Sequence, residues 1–282
     1  MANSSPYHTH ISAKHRLLEL NLRETWQYRD LIALFVKRDF TVSYKQTILG
    51  PAWLFITPLF TSIIQAFVFG GIAGISTDGV PTLLFYLCNN AVWAYFATCL
   101  TSNARTFTDN AYVFGKVYFP RLTTPIANVF STVIRFGIQM LLVLILLVYF
   151  LIGGRVHPHW LWWLMIPVEL MHLGILGMGC GIIISSMTTK YRDLSILVDF
   201  GVSLWMYATP VVYPLSTVSG WMKTLLWVNP VTSSVELMRY ALVGQGTLAW
   251  GWYALSWGIT LLVAVLGIVI FNKVERTFMD TV

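Results

Sequence analysis

The sequence is short of charge. Of 282 residues only 11% are Asp, Glu, Lys or Arg, twelve acids against eighteen bases. An ordinary soluble domain carries roughly 25% charged residues. A soluble fold of this length needs more polar surface than these thirty side chains supply. Cysteine is scarce as well. Cys88, Cys99 and Cys180 all lie in apolar runs, where a small buried hydrophobe is the ordinary role, so a disulfide scaffold is excluded. No early apolar core marks a signal peptide within residues 1–45. No internal repeat or low-complexity stretch stands out. Neither G-x-x-x-x-G-K-[ST] nor G-x-G-x-x-G occurs, so the chain is expected to carry no nucleotide site of its own.

What is abundant is apolar. Hydrophobic residues make up 56%, aromatics 15%, and the mean hydropathy is +0.67. This describes an all-α polytopic membrane protein, in which six spans of about 22 residues would use roughly half the chain. Charge-free runs place the spans at about 50–71, 82–102, 122–152, 160–187, 194–213 and 250–271. The uncharged stretch 240–272 is too long for one crossing, and Gly244-Gln245-Gly246 is its expected break. Residues 1–24 form a polar tail, and 25–282 one transmembrane domain.

The bases give the sidedness. Six spans put both termini on one face. Fourteen Lys and Arg then fall on that face, three on the other (Arg155, Lys223, Arg239), and Arg135 lies within a span. The asymmetry predicts cytoplasmic termini. Because the bases cluster at the ends of apolar runs, the +6 net charge reflects topology, and nucleic acid is not an expected partner.

Three segments are not spans. Residues 30–45 are amphipathic, with Ile32, Val36, Phe40 and Tyr44 at i+4 spacing and Lys37, Arg38 and Lys45 opposite. Such a helix lies in the membrane interface, either as a simple anchor or with its bases toward a cytoplasmic partner. The 103–121 connection predicts a short helix capped within 108–110. It presents Tyr112, Val113 and Phe114, flanked by Arg105, Asp109 and Lys116, and is suited to docking in a groove on another protein or to resting on lipid. Between spans five and six, Ser219 opens one short helix containing Trp221. A Ser233-x-x-Glu236 capping box opens a second, which contains Arg239 and ends near Gly244. These two read as a re-entrant outer hairpin above a cavity, or as surface helices on the outer leaflet.

Little catalytic chemistry is present. Glu169 and His172 make a single E-x-x-H, short of a di-iron set, and no metal site is expected. Arg135, Glu169 and Asp199 lie inside spans and must face protein or water. Arg135 and Glu169 sit at comparable depths in antiparallel neighbours, which allows a buried ion pair or a polar contact along a path. Span two carries Tyr86, Asn89, Asn90, Trp93 and Phe96 at helical spacing. Asn beside aromatics is either a sugar-binding surface or ordinary helix packing.

Three stretches carry a resemblance. They are Arg38-Asp39 through Tyr44-Lys45-Gln46 to Gly50-Pro51-Ala-Trp53, Tyr191-Arg192-Asp193 through Pro210-Val-Val-Tyr213-Pro214, and Asn229-Pro230-Val-Thr with Arg239-Tyr240-Ala. Together they resemble the membrane subunit of type-2 ABC exporters for polysaccharides, the group that exports lipid-linked O-antigen, capsule or teichoic acid chains. The likeness runs from about residue 25 to the end and leaves residues 1–12 outside. It implies a homodimer in the cytoplasmic membrane with two copies of a separate ATPase, where ATP and Mg would bind. It also implies an interface helix over 25–45, a coupling helix over about 105–118 and outer gate helices over 216–244. Other classes stay open: a type-2 permease for a lipid or drug, and an intramembrane glycan ligase or acyltransferase using Glu169 and His172.

Overall fold

The computed structural model describes residues 22–45, 47–117, 119–188 and 193–278. The polar tail up to residue 21 and the Tyr191-Arg192 pair lie outside these. Among the described residues there is no strand. The helices in order are α1 (Leu22–Gln27), α2 (Arg29–Tyr44), α3 (Trp53–Gln65), α4 (Thr82–Ala104), α5 (Thr106–Phe114), α6 (Thr123–Ile152), α7 (Ile166–Thr188), α8 (Leu194–Tyr207), α9 (Gly220–Val228), α10 (Pro230–Val243) and α11 (Trp250–Phe278). Five segments are long and apolar enough to cross a membrane: Gly50–Ile72, Thr82–Ala104, Thr123–Ile152, Trp160–Thr188 and Trp250–Lys273.

The fifth expected span is the exception. α8 stops at Tyr207, six residues short of the run 194–213. Fourteen residues reach about 21 Å, less than the ~30 Å hydrocarbon layer. The helix ends because side chains distant in sequence take over its last polar groups. Asn229 Nδ2 donates to the Ala208 carbonyl (3.1 Å) and to Thr209 Oγ1 (2.8 Å), and Tyr213 Oη donates to the Tyr207 carbonyl (3.1 Å). Span one also departs from a plain helix, since α3 widens into a π-helical segment over Ala66–Ile72.

α4 is the central element, packed by α3, α6, α7, α8 and α10. Its apolar residues run all round rather than along one stripe, the pattern of a helix with no solvent face. Its contact with α7 depends on glycine. A Cβ at Gly177 would lie 2.7 Å from Cys99 Cβ, and one at Gly181 would lie 2.5 Å from Asn103 Cβ and 2.6 Å from the Leu100 carbonyl. On the opposite side of α7, a Cβ at Gly179 would lie 3.2 Å from the Ala264 backbone of α11, and one at Gly267 would lie 3.0 Å from the Gly179 carbonyl. Small residues on two faces let both neighbours approach backbone to backbone, the usual way helices associate where no water drives them together.

The bundle has two different ends. The basic end gathers α2, α5 and the last turns of α11 around Ile32, Phe35, Phe107, Phe114, Phe119 and Phe271. At the far end, α10 is buried almost throughout, against α4, α7 and α11. It begins at Pro230, three residues before the expected capping box. Asn229 is the N-cap, its Oδ1 accepting from Val231 N (3.1 Å), and Pro230 occupies the first turn, where its missing N–H costs nothing. Ser233 and Glu236 therefore lie inside the helix. The Glu236 carboxylate binds Arg239 and accepts from Thr247 N (2.8 Å) and Thr247 Oγ1 (3.1 Å). Gly244 ends α10 at φ 78°, a left-handed position pressed against the His157 carbonyl. Beside this hairpin, a void of about 10 Å³ lies between Trp227, Leu237 and Tyr253.

Two stability outcomes follow. Gly181→Val should lower the melting temperature in detergent by the equivalent of about 1–3 kcal/mol or more, through overpacking. Gly258→Ala, where a Cβ meets nothing within 4 Å, should leave it unchanged. Glu236→Ala strands the buried Arg239 guanidinium and should cost about 3–5 kcal/mol, while the paired change E236L/R239M should recover much of that loss. A Glu236→Ala melt matching the unmodified chain would remove the far-end pair as a structural lock.

Candidate functional site

A polar cavity sits at the basic end. A cavity of about 690 Å³ opens between α2, α4, α5, α6 and α8. Among the described lining residues only Val42 is apolar. α2 contributes Arg38, Asp39 and Ser43, and α4 ends there with Thr101 and Ser102. Arg105 forms the turn into α5, which adds Asp109 and Asn110. α6 brings Asn128, Ser131, Thr132 and Arg135, and α8 brings Asp199.

Three arginines face three aspartates, but not in matched pairs. Arg38 binds its neighbour Asp39 at 2.8 Å and also donates to Asn110 Oδ1 at 3.4 Å. Arg105 holds Asp199 at 2.5 Å. Arg135 donates to a neutral group, Ser43 Oγ, at 3.0 Å. Burial raises the Asp109 carboxyl above its ordinary range, while Arg105, a hydrogen bond with Thr108 and Arg38 pull it back. Ser131 is buried and its Oγ has no hydrogen-bond partner.

This corrects the expected Arg135–Glu169 pair. α6 is 30 residues long, and Arg135 lies 17 residues before its end at Ile152, about 25 Å along the axis. That places Arg135 at the basic end, beside the interface helix. Glu169 lies in the first turn of α7, toward the far end. There its Oε1 accepts from Tyr253 Oη (2.6 Å), and its Oε2 lies 3.8 Å from His172 Nδ1. His172 is fixed at both ring nitrogens, by Ser234 Oγ (2.9 Å) on one side and by Thr260 Oγ1 (2.9 Å) and Ser256 Oγ (3.1 Å) on the other. Glu169 and His172 are both fully buried, with every neighbour just named on α7, α10 or α11. An enzyme would need this pair open to substrate, and here it ties three helices together. Asp199, too, is not a buried intramembrane charge. It is half exposed, at the cavity.

The residues of span two are interior. Tyr86, Asn89, Asn90, Trp93 and Phe96 are all buried. Tyr86 Oη donates to the Val212 carbonyl (3.2 Å) and Asn89 Nδ2 to that of Val211 (3.0 Å). Asn90 Nδ2 donates to Gln65 Oε1 (2.6 Å) and Ser62 Oγ (3.0 Å) of α3. Trp93 and Phe96 pack edge-on against Trp205 of α8. Their placement is that of helix packing, and the donors that would meet a sugar are engaged within the chain.

The short connecting helix exists, and it starts at Thr106, before the expected cap. Its aromatics divide. Tyr112 is 73% exposed, with Lys116 Nζ 3.6 Å from its ring centroid, whereas Phe114 is 4% exposed. Phe114 belongs to a run of rings, Phe271 to Phe107 (5.1 Å), Phe107 to Phe114 (6.1 Å), Phe114 to Phe119 (5.6 Å) and Phe119 to Phe35 (5.8 Å). This run joins α11, α5 and α2. On α2, Lys37 and Arg38 are exposed and Phe40 is half-buried. At the far end, Trp221 of α9 projects outward, while Glu236 and Arg239 are buried.

The cavity was missed as a unit, although one signal for it is in the sequence. Asn128, Ser131, Thr132 and Arg135 recur at i, i+3, i+4, i+7, a polar stripe down one face of an otherwise apolar span.

Similarity to known proteins agrees with this architecture. Residues 30–243 match the family model for the ABC-2 type transporter. An O-antigen export system permease protein RfbA of Klebsiella pneumoniae is 27% identical over 251 residues, covering 89% of this chain and 94% of that protein. The Myxococcus xanthus protein of the same name is 26% identical over 217 residues, 75% of this chain and 80% of its own. With its apolar spanning helices, a match of that extent makes the chain a multi-pass membrane protein and a transporter subunit, a member of the ABC-2 type transporter family.

Proposed function

We propose that the chain is the permease subunit of an ATP-driven exporter of a lipid-linked polysaccharide. It acts in the cytoplasmic membrane as a homodimer with two separate ATPase subunits, both termini facing the cytoplasm. The observation that carries the reading is likeness along almost the whole chain to permeases named for O-antigen export. A full-length match makes the shared transport unit, rather than one borrowed segment, the common property.

The physics of the cargo supports it. A glycan carries many hydroxyls, each costly in hydrocarbon if left unpaired, so it needs a hydrated path. In this chain the Tyr86, Asn89 and Asn90 donors of α4 face inward and are engaged. The path therefore belongs between two copies, where a two-fold pair can enclose it. α8 favours this arrangement, since most of its side chains are exposed and Val202 is its buried residue. The buried α10 and outward α9 then act as the outer gate, with Trp221 at its surface and Glu236 and Arg239 as its fixed base.

Work must come from a nucleotide-hydrolysing partner, because the sequence has no phosphate-binding loop. α5 is built to receive it. Tyr112 and Lys116 face outward, and the ring run behind Phe114 connects α5 to α2 and α11. A push on α5 therefore moves three elements together.

Tyr112→Ala and Lys116→Glu should leave the melting temperature unchanged and lower glycan-stimulated ATP hydrolysis severalfold in the reconstituted complex. Phe114→Ala should behave differently, losing about 3–5 kcal/mol of stability by opening a cavity in the ring run. If both surface variants keep full stimulation, α5 is not the coupling element.

A further inference from the structure

Span five is held unequally along its length. Beyond Tyr207, where α8 ends, the chain continues as irregular backbone whose carbonyls are taken up by side chains. Asn229 Nδ2 donates to the Ala208 carbonyl (3.1 Å) and to Thr209 Oγ1 (2.8 Å), and Arg239 Nη2 to the Pro210 carbonyl (3.5 Å). Asn89 Nδ2 donates to the Val211 carbonyl (3.0 Å) and Tyr86 Oη to that of Val212 (3.2 Å). Ser216 Oγ then donates to Asp78 Oδ1 (2.7 Å) in the connection from α3 to α4. In the last turn of α8, Trp205 packs edge-on against Phe96, with ring centroids 5.1 Å apart. Irregular backbone in a membrane persists where protein satisfies it. Here the donors come from α4 and α10, which pack on each other.

The inner half of α8 is different. Ile196, Leu197, Phe200 and Leu204 are exposed, and Asp199 is held to Arg105 by an ion pair about half open to water. A groove of about 470 Å³ lies between this half and α4 and α7, bordered by Leu100, Ile184, Val198, Gly201 and Val202. A Cβ at Gly201 would meet nothing within 4 Å. A gap of about 1 Å already forfeits up to about half of a packing contact, so the groove side holds this half weakly. The helix is thus fixed at one end and free at the other, with room to move.

One side chain makes the joint. Asn229 Oδ1 caps α10 by accepting from Val231 N (3.1 Å), while Asn229 Nδ2 closes the end of α8. α10 is buried against α4, α7 and α11, so what Asn229 holds is held to the frame. From this geometry we infer that Asn229 is a positioning residue for transport: it pins the outer end of α8 to α10, and α8 swings about that joint so that its inner half closes the groove toward α4 and α7. The inference rests on the export reading for the use of the swing, while the swing itself belongs to this chain alone.

The test is a set of spin-label distance distributions on the purified full chain in phosphatidylcholine nanodiscs. Cys180 is replaced by Ala, and Cys88 and Cys99 are buried. Labels at Leu197→Cys with Met187→Cys follow the inner half, and labels at Tyr207→Cys with Met171→Cys follow the outer end. All four side chains are exposed. The inner distribution should be severalfold broader than the outer one. Gly201→Leu places a side chain in the groove and should narrow the inner distribution severalfold. It should leave the melting temperature unchanged or raised, since Leu is the better helix former. A purely structural role would not give that combination. Asp and Ser cap a helix as well as Asn does, but neither carries the amide donor. Asn229→Asp and Asn229→Ser should therefore keep α10 capped and broaden the outer distribution severalfold. In the complex with its ATPase, Gly201→Leu should lower maximal glycan-stimulated hydrolysis severalfold, with the half-saturating glycan concentration unchanged. Equal widths at both ends of the unmodified chain, or an inner width indifferent to Gly201→Leu, overturn the swing. An outer width indifferent to both Asn229 variants overturns the joint. Full hydrolysis in a narrowed Gly201→Leu chain overturns its use in transport. Should Asn229→Asp fail to fold, Asn229→Ser decides for the joint. Absence of stimulated hydrolysis in the unmodified complex counts against the export reading alone, because the distances are measured without the ATPase.

Discussion

The close approach of α7 to two neighbours is the constraint on which the other placements depend. Gly177 and Gly181 admit the backbone of α4, and Gly179 admits that of α11 on the opposite face. Without water to drive apolar surfaces together, such contacts rest on van der Waals packing, which falls off within an ångström of separation. The consequences reach both ends. At the basic end, the α4–α7 contact lets Thr188 Oγ1 donate to the Ala104 carbonyl (3.2 Å) and Ser185 Oγ accept from Phe107 N (3.2 Å), which fixes where α5 leaves α4. At the far end, the α7–α11 contact brings Tyr253, Ser256 and Thr260 to Glu169 and His172.

The two ends then use polar groups in opposite ways. Far-end charges are deeply buried, Glu236 held by Arg239 and Thr247 and Glu169 by Tyr253. Such groups are costly to disturb and suit a rigid frame. Basic-end charges border an open cavity and form pairs that water already weakens. They can exchange partners at little cost. A transporter needs both behaviours, a frame that holds and a mouth whose contacts change with its cargo.

Much of this frame was legible in the sequence. Charge-free runs located spans one to four and span six to within a few residues, because lipid excludes charge whatever the tertiary context. The outer break at Gly244-Gln245-Gly246 was legible because a left-handed helix end needs glycine. Span five was drawn too long, since composition cannot distinguish apolar helix from apolar irregular backbone. α8 ends where it does because Asn229 reaches back to Ala208 and Thr209. The same residue caps α10, and the Ser233-x-x-Glu236 pattern lies inside the helix. The sugar-facing reading of span two failed on a similar point. Asn and Tyr look available in sequence, and only the fold shows Val211 and Val212 accepting from them. Phe114 was placed outward because its neighbour Tyr112 is, although two positions along a helix face different ways. The cavity depends on α2 lying across α6, a long-range contact that no local pattern encodes.

Arg105 belongs to both functional units. As the N-cap of α5 it moves with that helix, and through Asp199 it also holds α8, which otherwise packs on α4 and α7. A displacement of α5 must stretch or carry that ion pair, so α8 follows α5 while the pair is intact and is released when it opens. By linkage, whatever cargo occupancy does to the freedom of α8, the position of α8 must return as a change in cargo affinity. A single exposed ion pair carries at most about 1 kcal/mol. That is enough to bias an equilibrium several-fold and too little to drive it.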